Sequence, residues 1–93
     1  MTEEQRYATR MLEHLCRDMN LTRDEILVVA ALSVEEADKF VADKAGSDDP
    51  VAIARVRKQW VKLLLWFAVE QGHLTYNMKT RRFAPVVNGV QTL

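Results

Sequence analysis

Residues 46–87 read GSDDPVAIARVRKQWVKLLLWFAVEQGHLTYNMKTRRFAPVV, and the order of breaks and periods in this stretch decides the fold. Gly46-Ser47-Asp48-Asp49-Pro50 has turn chemistry. Asp49 suits an N-cap, where its carboxylate accepts from a free amide, and Pro50 suits the first helical position, where a missing N–H costs nothing. The spacing predicts a helix over 50–71, with Gly72 as its stop. At about 100° per residue, Ile53, Val56, Trp60, Leu63, Leu64 and Phe67 fall on one stripe, and Arg55, Lys58, Gln59 and Lys62 on the opposite arc. Trp66 and Val69 continue that basic arc, so the last two turns are apolar all round. From Leu74 the period drops to two. Residues 74–78 and 82–87 are expected to form a hairpin around a basic loop, with Pro85 marking an edge strand. Asn88-Gly89 is a tight-turn signal, and 90–92 could add a short third strand.

Working back toward the start, residues 3–19 carry Tyr7, Ala8, Met11, Leu12, Leu15, Cys16 and Met19 at helical spacing, with Asn20 as the stop. Thr22 and Glu25 have capping-box spacing and open a helix over 22–32. Its run Ile26–Leu32 is apolar all round, which predicts a central, buried helix. Ser33 with Glu36 repeats the capping signal. A break there would start a third helix over 34–45 that buries Val34, Ala37, Phe40, Val41 and Ala45; one continuous helix through Ser33 is the alternative. The expectation is one domain over 1–93, mainly α with a small C-terminal β-hairpin: a four-helix cluster followed by the hairpin.

Hydrophobic residues make up 48% of the chain and charged residues 28%, the composition of a globular domain. Its net charge of zero hides a split. Residues 1–49 hold six bases against twelve acids, net −6, and residues 50–93 hold seven bases against Glu70 alone, net +6. Such asymmetry points to a polyanionic partner, unless the two halves neutralise each other. Cys16 is the single cysteine, so no disulfide can form within the chain, and a reducing compartment is expected. The polar, acidic start is unlike a signal peptide, and the longest uncharged apolar run, Leu63 to Val69, is far short of the ~20 residues of a membrane span. A soluble, cytoplasmic protein with no membrane contact is the expectation.

Catalytic signals are sparse. His14 and Cys16 lie two apart on a helix and so do not share a face, and His73 is the only other histidine. These three are the residues that would have to converge for an enzyme. A metal site would need a further ligand of good type. Gly46, Gly72 and Gly89 stand alone at element ends, so no loop cradles phosphate. A non-enzymatic domain with no cofactor, no metal and no small-molecule substrate is expected.

The segment 33–87, with a capped helix, a turn, a longer helix and then EQGHLTYNMKTRRFAPV, resembles the winged helix-turn-helix superfamily. In those proteins a helix stops at a glycine and a hairpin with a basic tip follows. The resemblance implies a transcription regulator that meets DNA phosphates with Arg55, Lys58 and Lys62 on the helix and Lys79, Arg81 and Arg82 at the wing tip. Two features depart from it. Asp48-Asp49 would repel phosphate at the end where recognition helices read bases, and the second half of the helix is too apolar to face DNA. The competing reading is a protein-interaction module, an adaptor, inhibitor or homodimer, anchored by Trp66 and Val69. The chain's own hairpin is the other candidate to cover that pair.

Overall fold

A computed structural model describes residues 2–86. Four helices are followed by one antiparallel hairpin: α1 Glu3–Met19, α2 Glu25–Ala30, α3 Val34–Ala45, α4 Pro50–Glu70, β1 Leu74–Asn77 and β2 Arg82–Pro85. Val87, the Asn88-Gly89 turn and the third strand expected over 90–92 lie outside the described residues.

Each boundary follows from a local hydrogen bond. Thr2 and Gln5 close a capping box on α1, with Thr2 Oγ1 accepting from the Gln5 amide (3.1 Å) and Gln5 Oε1 accepting from the Thr2 amide (2.9 Å). Asn20 ends α1 in the left-handed conformation at φ 56°, which asparagine tolerates. Ser33 breaks the chain between α2 and α3, its Oγ accepting from the Glu36 amide at 3.3 Å. The Asp49 carboxylate caps α4 by accepting from the Val51 amide at 3.1 Å, with Pro50 in the first turn.

The first correction concerns α2. The Thr22–Glu25 box forms, through Thr22 N–H to Glu25 Oε1 (3.0 Å) and Glu25 N–H to Thr22 Oγ1 (3.3 Å). It closes an i→i+3 turn, however, and the α-helix proper runs only over Glu25–Ala30. Nor is α2 central. Ile26 and Val29 are buried, while Leu27 and Val28 are 66% and 65% exposed. A helix of six residues has one stripe to bury, and burying the other would need a second layer that the described residues do not place there. Val34, expected inside, is 80% exposed for a related reason: it opens the first turn of α3, and no described element is laid over it.

The core runs along α4. The antiparallel α1 contributes Ala8, Leu12, Leu15, Cys16 and Met19, α3 contributes Val41, and α4 contributes Trp60, Leu63, Trp66 and Val69. Phe40 of α3 packs on Trp60 with ring centroids 5.1 Å apart. At the far end of α4, Trp66 is enclosed by Tyr7 (5.3 Å), Tyr76 (4.6 Å) and Phe83 (4.8 Å). Tyr76 and Phe83 are direct partners in the β1–β2 register, so the hairpin presents one aromatic pair to the tryptophan. This closes the helical cluster with a two-stranded cap.

Candidate interaction surface

The same geometry settles where Trp66 and Val69 lie. They are 5% and 1% exposed, walled in by the chain's own α1 and hairpin. The expectation of an exposed Trp66–Val69 pair is corrected: both are buried within the chain, and of the two candidate covers it is the chain's own hairpin that lies over Trp66. The apolar end of α4 is covered internally because the hairpin folds back over the arc that Lys62 occupies one turn earlier.

Upstream of the hairpin, the outward arc of α4 is open. Val51 is 66% and Val61 48% exposed, with Ala54 between them also exposed. Arg55, Arg57, Lys58 and Lys62 flank them, and together these seven residues line one shallow depression along the helix. Val61 also borders the groove between α3 and α4, which Val34, Ala37, Asp38, Val41, Arg57 and Trp60 line as well. Exposed Val34 therefore meets the α4 surface across that groove. Among the described residues two ion pairs form, Arg23–Glu70 and Arg57–Asp38 (3.5 Å). Arg55, Lys58 and Lys62 engage in neither.

The second basic group is elsewhere. Asn77 Oδ1 accepts from the amides of Lys79 (2.9 Å) and Thr80 (3.1 Å), and Arg81 N–H donates to the Asn77 carbonyl (2.7 Å). Arg81 takes φ 58° to complete the loop. Lys79, Arg81 and Arg82 are all exposed. Lys79 lines a groove with Thr2, Glu3 and Glu4 at the start of α1, so acids border this tip. The expected basic residues thus form two groups, one lining the depression on the open length of α4 and one at the hairpin tip, where Lys79 lines a separate groove.

No protein-family model, curated protein or solved structure matches the chain.

The catalytic candidates do not converge. His14 and His73 are exposed, whereas Cys16 is buried in the core, where loss of solvent pushes its thiol pKa up and keeps it protonated. Among the described residues no three His, Cys, Asp or Glu side chains group to hold a metal ion, and no helix is long and apolar enough to cross a membrane.

The sequence reading missed a polar junction. Glu70 is buried, with its side chain 5% exposed. It accepts from Thr9 Oγ1 at 2.7 Å and pairs with the Arg23 guanidinium, while its backbone carbonyl accepts from Gln5 Nε2 at 3.1 Å. Burial pushes the Glu70 carboxyl pKa up, but the hydrogen bonds and charge of Arg23 and the bond from Thr9 outweigh it and hold the group below its ordinary value. One acid standing alone among seven bases in residues 50–93 was the available signal.

Proposed function

We propose that this chain is a non-catalytic docking domain that binds another protein through the outward face of α4, extended across the α3 groove to Val34. One observation carries the reading: Val51, Val61 and Val34 are 66%, 48% and 80% exposed on adjoining surfaces that the described elements leave uncovered. Burying a valine side chain contributes on the order of 1.5 kcal/mol or more, so a partner covering these three gains several kcal/mol before any ionic contact. Single exposed apolar residues need no explanation, but adjoining ones rimmed by charge mark interaction sites. The test is a tagged full chain, wild type against Val51→Ser/Val61→Ser, with co-purifying proteins identified by mass spectrometry and rebinding repeated with purified partner. A partner held equally by both chains refutes the assignment of the face.

A second reading, the winged-helix-like DNA-associated regulator, rests on Arg55, Lys58 and Lys62 having no acid partner among the described residues and on the order helix, turn, helix, hairpin. If those three and Lys79, Arg81 and Arg82 all met phosphates, duplex affinity would fall about a thousandfold from 50 to 200 mM salt. Affinity that is absent at low salt, or that ignores salt, rejects it. Exposed Val51 and Val61 and the Asp48-Asp49 cap weigh toward protein.

A further inference from the structure

We infer that the outward face of α4 is a coiled-coil-type seam that takes an acidic amphipathic helix of another protein. This names the partner class for the docking reading above and rests on it.

The argument begins with spacing. Val51, Ala54, Lys58, Val61, Leu65 and Ala68 recur at intervals of three and four, the pattern of alternating seam positions in a heptad. Val51, Ala54, Lys58 and Val61 are exposed, and Leu65 is partly buried where the seam approaches the hairpin. The open stretch from Val51 to Leu65 is about 21 Å long at 1.5 Å per residue, enough for two heptads of a partner helix. The seam is distinct from the inner stripe: Trp60 and Leu63 are buried in the core with Ile53, Val56 and Phe67 packed against them. The domain's own folding therefore does not require the outer valines.

Charge then selects the occupant. The positions flanking a seam set partner choice through ion pairs between helices. On α4 the exposed flanking residues are Arg55, Arg57 and Lys62, and all are basic; Lys58 stands within the seam itself. A helix with acids at its flanking positions meets attraction along the whole length. A second copy does not. Laid antiparallel with Val51 opposite Val61, it sets Arg55 against Arg55 and Arg57 against Arg57 and buries Lys58 twice, with Asp48 near Lys62 as the one attraction. Like charges so placed disfavour self-association, and a lysine in the seam discriminates among partners.

The test uses the full chain and three synthetic 28-residue peptides. One carries leucine at its seam positions and glutamate at the flanking ones. The second has lysine for that glutamate, and the third is the acidic peptide with two central prolines. Binding is measured by fluorescence anisotropy at low and physiological salt, with sedimentation of the chain alone. The acidic helix is expected to bind one to one, at least a hundredfold tighter than the basic peptide and tenfold tighter than the proline form. R55E/K62E should reverse the preference. Equal binding of the acidic and proline peptides would reduce the face to a nonspecific cation surface and overturn the proposal. So would indifference to the charge reversal, no binding of the acidic helix, or a dimer of the chain alone that Val61→Glu dissolves. If the acidic helix fails while a purified partner still requires Val51 and Val61, this inference falls and the docking reading stands.

Discussion

Replacing Arg23 with alanine tests the polar junction at Glu70 and has a calculable signature. In the native domain the Glu70 side chain is 5% exposed and the Arg23 side chain 48%. Removing the guanidinium leaves a buried carboxylate with Thr9 Oγ1 at 2.7 Å and Gln71 Nε2 at 3.5 Å as its remaining donors. Stranding one member of a fully buried pair costs about 3–5 kcal/mol. Arg23 is half in water, so solvent screens the pair and the variant can hydrate the gap; about 2 kcal/mol is the expected loss at pH 7. For a domain of this size that lowers Tm by roughly 8–16 °C. The pH dependence follows from the sign of the shift. Native Glu70 is held below its ordinary value, so its contribution is present above about pH 4.3 and is lost as pH falls through the lower folded value. Without Arg23 the burial that raises the carboxyl is opposed only by the bonds from Thr9 and Gln71, so the folded value moves up from its wild-type position. The variant's deficit is then largest near neutrality and shrinks as the buried acid takes up its proton. Urea melts at pH 7 and near pH 4 read this directly, alongside the same substitution in an E70Q background, where no charge is stranded. Coupling below about 0.5 kcal/mol between the two positions, or a deficit that does not narrow in acid, would refute the junction as an energetic link between the α1–α2 turn and α4.

Trp66→Ala should cost about 3–5 kcal/mol, enough to unfold a small domain, because the void lies between Tyr7, Tyr76 and Phe83; near-UV circular dichroism and urea melts measure it. Val51→Ser/Val61→Ser should leave stability within about 0.5 kcal/mol of wild type per site while abolishing partner binding, since both side chains stand in water; a collapsed melt would place them in the core instead. Asp49→Ala removes the cap on α4 and should destabilise by about 1 kcal/mol in thermal melts. At Gly72, φ is 84° and an added Cβ meets no atom within 4 Å, so Gly72→Ala should cost only the backbone penalty of about 1–2 kcal/mol; a larger loss would reveal a steric role.

What could be read from the sequence divides by physical range. Caps and stops were legible because their bonds span two to four residues: Ser33, Asn20, Asp49-Pro50 and Gly72 all act where their local chemistry puts them. The hairpin was legible from its change of period, and its register pairs Tyr76 with Phe83. Burial of the apolar run in α2 was not legible. Periodicity says which residues share a face and not whether a second layer arrives to cover the other, so Leu27 and Val28 read as core and stand in solvent. Trp66 illustrates the converse. On helix arcs alone it continues the basic face, and it takes Tyr76 and Phe83 of the returning hairpin, ten and seventeen residues later, with Tyr7 of α1, to enclose it. Within the candidate surface, Arg55, Lys58 and Lys62 were identifiable by charge, whereas Val51 and Val61 required knowing which arc α1 and α3 leave open.

The division of charge between the halves bears on that surface in a way neither half reveals alone. If residues 1–49, net −6, and 50–93, net +6, neutralised each other in the fold, the bases of α4 would be spent internally. The ion pairs among the described residues argue against this. Only Arg57–Asp38 runs in the sense of the split; its side chains are 57% and 64% exposed, and such a pair contributes at most about 1 kcal/mol. The other, Arg23–Glu70, runs against it, using a base of the acidic half to satisfy the lone acid of the basic half. That removes the one carboxylate α4 could have offered to its own bases. Arg55, Lys58 and Lys62 therefore have no ion pair among the described residues beside Val51 and Val61, which supports acids on the partner proposed for that face.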